Sequence, residues 1–184
     1  MTTTRSTEVR QLPDAAELER RIKLVDEHVK AEVDHDLEAI MRTWGKSPWF
    51  DDVAWEERSY GRDQIRAHYD ELLKAFPDLG IEVHASHYTS DFVILEVTVS
   101  GTHTGQWRDL PALGRKMASR VCAMYSFDAD GMLELERTYY DKAIVLEQLG
   151  IFQDPRKPLG KVTAVLTPPF TIVKALVRKV FHRR

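Results

Sequence analysis

Residues 116–140 read KMASRVCAMYSFDADGMLELERTYY. Two runs of alternating side chains flank an Asp128-Ala129-Asp130-Gly131 step that has the chemistry of a tight connection. Lys116–Phe127 and Met132–Tyr140 are therefore predicted as the two strands of an antiparallel hairpin. Working back toward the N-terminus, Ile81–Thr89 and Phe92–Trp107 show the same period of two. Before Pro77 the period is close to 3.6 instead. Asp14 opens a helix with apolar positions Leu18, Ile22, Val25, Val29 and Val33. Asp36 offers an N-cap for a second helical stretch through Leu37, Ile40 and Met41, closed by Gly45. The Trp49–Tyr60 segment, with Val53 and Trp55 alternating, is predicted as a short strand. Gly61–Phe76 is the next helix, with Ile65, His68, Tyr69, Leu72, Leu73 and Phe76 on its apolar side and Pro77 just past its end. Asp141–Leu149 returns to helix and stops at Gly150. Helices first and antiparallel strands afterwards indicate an α+β fold rather than a doubly wound one.

The 184 residues suffice for one domain with a full core. With 43% hydrophobic and 30% charged residues, the composition is that of a globular chain. A net charge of −3 gives no global reason to expect nucleic-acid binding. The single cysteine, Cys122, excludes an intramolecular disulfide and fits a reducing compartment. Residues 1–13 are polar, without the apolar core of a signal peptide, and are expected to be disordered. No apolar run approaches the roughly 20 residues of a spanning helix. A cytoplasmic location is expected.

Three pieces of sequence stand in a telling order: Phe76-Pro77-Asp78-Leu79, then Val99-Ser100-Gly101-Thr102-His103-Thr104-Gly105, then Leu110-Pro111 with Gly114-Arg115. Glu136-Arg137-Thr138-Tyr139-Tyr140-Asp141 and Leu146-Glu147-Gln148-Leu149-Gly150 complete the series. The ordered set, over about residues 20–150, resembles the SnoaL-like polyketide cyclases of the nuclear-transport-factor-2-like superfamily. The resemblance implies a cone-shaped α+β barrel, with helices packed on a strongly curved, mainly antiparallel sheet that encloses an apolar pocket. It also implies a homodimer. The domain is expected over 14–153.

In the family, an aspartate on the last long strand and a histidine on the strand before it carry an intramolecular aldol closure. Those positions fall here on Thr138 and on Ala123 (or Cys122), and neither threonine nor alanine is a base near pH 7. The related limonene epoxide hydrolases also place an aspartate at the Thr138 position. Strand alternation puts Glu134, Glu136, Thr138 and Tyr140 on one face. Since the family's acid points into the pocket, Glu136 is the carboxylate of this strand expected inside, as a catalytic residue whose pKa an apolar pocket would raise. The bland reading of Glu136 is an ion pair or an exposed edge. His103 is the second catalytic candidate, as general acid/base or oxyanion donor, its rival role being a wall residue that shapes the loop before Trp107. Tyr125, Tyr140, Thr138, His68, Tyr69, Trp49, Trp55 and Trp107 are expected to line the pocket. His84 and His87, three apart on a strand, fall on opposite faces and share no metal. Capping explains the carboxylates of Asp34-His35-Asp36 better than metal binding does. No glycine-rich nucleotide loop, Cys-x-x-Cys or nucleophile elbow occurs, and no metal or cofactor is called for.

Residues 154–184 leave the pattern. After Pro168-Pro169, an apolar stripe from Phe170 to Phe181 faces Lys174, Arg178, Lys179, Arg183 and Arg184. This is an amphipathic basic helix suited to packing on protein, or to peripheral contact with an anionic membrane through residues 170–184. The expected partner of the pocket is a small hydrophobic, carbonyl-bearing molecule, and no nucleic acid. The leading expectation is a cyclase- or isomerase-type proton-transfer enzyme with non-standard residues. A ligand-binding protein that lost the chemistry and a hydroxylating relative are the alternatives.

Overall fold

The computed structural model describes residues 11–154 and 156. The basic C-terminal helix predicted over 170–184 lies outside the described residues, as do residues 1–10. Among the described residues, no helix is long and apolar enough to cross a membrane.

Helix α1, Ala15–Val33, starts where Asp14 accepts from the Glu17 backbone N–H, and α2, Leu37–Thr43, where Asp36 accepts from Ala39. Such caps are each worth about 1 kcal/mol. Gly45 does not close α2; the chain turns extended at Trp44, and strand β1 runs Trp44–Asp52. The single strand expected over Trp49–Tyr60 is the end of β1 plus a second strand, β2, Glu57–Tyr60. Val53 and Trp55 sit in the turn between them. Helix α3, Gly61–Ala75, follows. From its first turn, Arg62 donates to the carbonyls of Met41, Trp44 and Gly45, which ties α3 to the end of α2 and the start of β1.

Strands β3 (Gly80–Tyr88), β4 (Val93–His103), β5 (Arg115–Phe127) and β6 (Leu133–Tyr140) form an antiparallel meander. In the β5–β6 connection the Asp128 carboxylate accepts from Asp130 and Met132, and Gly131 takes a positive φ of 78°. The six strands make one open mixed sheet in the order β2-β1-β6-β5-β4-β3, with β1 parallel to β6. Helix α4, Lys142–Gln148, is capped by Asp141 and fastened to β5 by Gln148, whose amide exchanges two hydrogen bonds with Ala118.

One apolar cluster, including Val25, Val29, Ile40, Ile65, Leu95 and Tyr125, lies between the first three helices and the sheet. A second gathers Phe76, Leu79, Trp107, Met117, Val145 and Leu149 beside it. The register of β3 shifts between Val83 and Ala85. The shift changes the expected histidine geometry, for His84 bonds Thr98 and His87 bonds Glu96, two residues on one face of β4. Both histidines therefore stand on the outer face, each with its own partner.

Gly105, in the Gly-Thr-His-Thr-Gly segment, marks a close approach of backbone to backbone. Thr104 and Gly105 both donate to the Ala75 carbonyl at the end of α3. A Cβ at Gly105 would lie 2.4 Å from the Lys74 carbonyl oxygen. Gly105→Ala is expected to destabilise the fold by about 1–3 kcal/mol. The urea midpoint should fall at constant m-value; an unchanged midpoint would contradict this packing.

Candidate active site

The concave face of the sheet and the helices enclose a cavity of about 850 Å³, counting the open space at its mouth. Its wall is largely apolar, with Val29, Leu72, Ile81, Val97, Val99 and Val121 contributing. Into this wall the fold sets two polar groups.

The first is built on Glu136. Alternation along β6 turns Glu136, Thr138 and Tyr140 to the cavity, while Arg137 pairs with Asp51 on the other face and Tyr139 is 43% exposed. Glu136 is only 4% exposed, and a buried carboxyl group needs partners. It finds them on three other elements. Tyr69 of α3 donates to Oε2 at 2.5 Å, His28 of α1 lies 3.3 Å from the same oxygen, and Tyr125 of β5 donates to Oε1 at 3.4 Å.

The proton on His28 can be placed. Thr43 donates its hydroxyl to the Ile40 carbonyl, an atom that only accepts, so its oxygen accepts from His28 Nδ1–H at 2.7 Å. Nε2 faces the Tyr69 oxygen at 3.0 Å and Glu136. With the Tyr69 proton given to Glu136, Nε2 can engage both only as a donor, and His28 is an imidazolium. Burial opposes that charge, but the hydrogen bond to Glu136 and the charges of Glu32 and Glu136 outweigh it and raise the His28 pKa.

Glu32 stands one helical turn beyond His28, its oxygen 3.9 Å from Nε2, and also lines the cavity. Burial first, and the Glu136 carboxylate second, push its pKa up to about 8. Near neutrality Glu32 thus holds a proton beside a second carboxyl group, an arrangement in which two carboxyl groups can divide acid and base roles. His28, Glu32 and Glu136 also have ligand atoms within 4.8 Å of one another, close enough to converge on a metal ion. Here Nε2 and Oε2 are engaged with Tyr69 and each other, so the set reads as a proton network.

The second polar group is Asp52, Arg108 and Tyr140, all on the cavity wall. Asp52 Oδ2 accepts from Arg108 at 2.6 Å and from Tyr140 at 2.9 Å. Burial first, then the Asp52 charge, raises the Tyr140 pKa and keeps the phenol protonated. Tyr140 lies four residues along β6 from Glu136, about 13 Å at strand rise.

Among the predicted lining residues, Thr138, Tyr140, Tyr125, His68, Tyr69 and Trp107 are on the cavity wall. Trp49 and Trp55 are not. Trp49 stacks on Tyr60 and carries the Arg137 guanidinium over its ring, which places it on the outer face. Trp55 stands behind Trp107 and Arg108. His103, expected at the mouth, is instead fully buried in the second apolar cluster, stacked on Phe76 at 5.3 Å and edge-on to Trp107. His103 is not among the residues that line the cavity, and burial lowers its pKa against a smaller opposing effect of the Gly105 backbone. His28, Glu32, Asp52 and Arg108 were not singled out by sequence reasoning. A signal for the first two existed, because 25, 28, 29 and 32 share the i, i+3, i+4, i+7 spacing of one helix face.

Solved structures share this architecture. AclR of Streptomyces galilaeus, a proposed hydroxylase, aligns at 26% identity over 80% of this chain and 96% of its own, with a TM-score of 0.65. A SnoaL-like polyketide cyclase homologue from Jannaschia sp. CCS1 aligns at 17% over 76% and 97%, with a TM-score of 0.66. IdmH of Streptomyces antibioticus, a proposed polyketide cyclase, aligns at 20% over 71% and 98%, with a TM-score of 0.59. No significant match is found among curated protein sequences. The family model for SnoaL-like polyketide cyclases matches residues 26–149, a span that contains every polar residue of the cavity wall, and the chain belongs to that family.

Proposed function

We propose that the protein is a proton-transfer catalyst for a small, apolar, carbonyl-bearing molecule bound in the cavity, with Glu136 as base and Glu32 as acid. The observation that carries this reading is the Glu136 carboxylate, buried in an apolar wall and held by Tyr69, His28 and Tyr125. Among the described residues its Oε1 holds only the long 3.4 Å bond to Tyr125, and it is the oxygen free to take a proton. In the step proposed, a C–H bond next to the substrate carbonyl breaks and its proton passes to Oε1. The electron pair moves into the carbonyl, and the enolate oxygen is met by the protonated Glu32. Returning the proton at another carbon gives isomerisation, whereas attack of the enolate on a second carbonyl gives ring closure. His28 and Thr43 hold the base in place and do not touch substrate. His103, shielded by Phe76 and Trp107, has no part in this step.

A second reading, hydroxylation of the bound molecule, is favoured by the 26% identity with AclR. It begins with the same deprotonation, and oxygen consumption by a substrate-loaded sample separates the two.

The proton step can be tested without the natural substrate by following deuterium exchange at the α-carbon of 2-tetralone in D2O by NMR. The wild type is expected to accelerate exchange, and Glu136→Gln to lower that acceleration by at least about 10²-fold. Bound tetralone with no acceleration by the wild type would reduce the protein to a binding module.

Glu32 makes a separate prediction for pH. The protonated acid is the working form, so activity should fall as pH rises through about 8, where Glu32 loses its proton. Glu32→Gln should abolish that alkaline limb. A limb that persists unchanged in the variant would assign it to another group.

A further inference from the structure

Resting on the reading of the cavity as a substrate site, we infer that Asp52 and Arg108 form a subsite for a neutral hydroxyl group on an apolar ring body. Asp52 is 4% exposed. Its Oδ2 accepts from Arg108 and Tyr140, yet its Oδ1 is buried with no hydrogen-bond partner among the described residues. The Arg108 guanidinium forms ion pairs with Asp52 and Glu57 through its terminal nitrogens, while its Nε is likewise buried and without a hydrogen-bond partner among the described residues. Both residues line the cavity. A buried acceptor and a buried donor left unmatched are costly and mark a place where a ligand atom gains most.

The position of Arg108 is tightly determined. Trp55 and Trp107 rings stand 4.8 and 5.4 Å from its guanidinium carbon. Its backbone N–H donates to Glu71 at 2.7 Å, and its φ is +50°. A left-handed backbone at arginine persists only where the surroundings impose it.

Charge balance selects the ligand group. The cation is already answered by Asp52 and Glu57, so a ligand carboxylate would meet two carboxylates as well as the guanidinium. A ligand ammonium beside Asp52 would meet Arg108. A hydroxyl meets neither penalty, and alone it supplies both functions, donating to Oδ1 and accepting from Nε. An ether can only accept. The apolar wall and the Trp107 ring beside the subsite suit an aromatic or alicyclic body.

Equilibrium dialysis with 2-naphthol, 2-methoxynaphthalene, naphthalene and 2-naphthoate tests this at pH 7. The wild type should bind 2-naphthol at least about tenfold more tightly than the other three. Arg108→Lys, which keeps the charge but removes Nε–H, should shrink the preference over the methyl ether to under about threefold and leave naphthalene binding unchanged. If that variant loses naphthalene binding because the cavity has collapsed, Asp52→Asn provides the second measurement, with the same loss of preference expected. Equal binding of naphthol and its methyl ether by the wild type overturns the subsite while leaving the cavity reading intact. Tightest binding of 2-naphthoate overturns it in favour of an anion site. If no ring body binds, the substrate-cavity reading falls, and this inference with it.

Discussion

The architecture depends on housing one carboxyl group, that of Glu136, inside an apolar cavity. An isolated carboxyl group there would leave its oxygens without hydrogen-bond partners, which is costly. This one draws donors from α1, α3 and β5 at once, so its hydrogen bonds are also the polar contacts that dock two helices on the sheet. Behind it, Thr43 and the Ile40 carbonyl fix the His28 proton, which extends the chain of dependence into α2. Half-satisfied networks of this kind are costly, whereas a satisfied one specifies a single packing. The docking of α1 and α2 and the protonation of the site are therefore one problem with one solution.

The second polar group follows from sheet topology. Because β1 runs parallel to β6, Phe50 stands beside Glu136 and Asp52 beside Thr138, while Asp51 meets Arg137 on the outer face. The cavity thereby receives a carboxylate from a strand far away in sequence. Arg108 reaches it from the loop after β4 and neutralises it. The two groups are opposite in kind. Around Glu136 protons are in contention and the acidity of Glu32 is displaced toward neutrality, whereas around Asp52 the charges cancel and leave only hydrogen-bonding valences. The first suits chemistry and the second suits recognition.

Strand alternation was legible along β6 from Glu136 to Tyr140, and the family's inward acid position at Thr138 then sent Glu136 inward. Before Glu136 the alternation breaks, for Glu134 is exposed, Leu135 is buried and both neighbouring ladders shift register there. It failed on β3, where a register shift moves His84 relative to His87. On α1 the apolar stripe was read as far as Val33, which is 41% exposed. The buried face instead continues through His28 and Glu32, polar residues that a hydrophobic pattern passes over and that only tertiary partners make tolerable. His103 misled for a related reason. A histidine invites a chemical role, but its surroundings come from Phe76 and Trp107, residues distant in the chain or across a loop. Asp52 and Arg108 carry no local signature, because their meaning lies in a parallel pairing and a loop return that no spacing encodes.

These placements also bear on why the chain can lack the family's acid at Thr138 and its histidine at Ala123. Thr138 lies between Asp52 on β1 and Ala123 on β5, and two residues from Glu136 on the same face. A carboxyl group at that point would join those of Glu32, Asp52 and Glu136 on the same wall, and neighbouring carboxylates raise one another's pKa. Competition for the same donors would weaken the hold of Tyr69 and Tyr125 on Glu136. A threonine adds no charge, and an alanine opposite it adds little bulk beside the cavity. The two departures from the family pattern are thus mutually consistent. On the proposed reading, with a base at Glu136 and an acid supplied by α1, the original pair becomes dispensable and the space at Thr138 and Ala123 is open to a ligand.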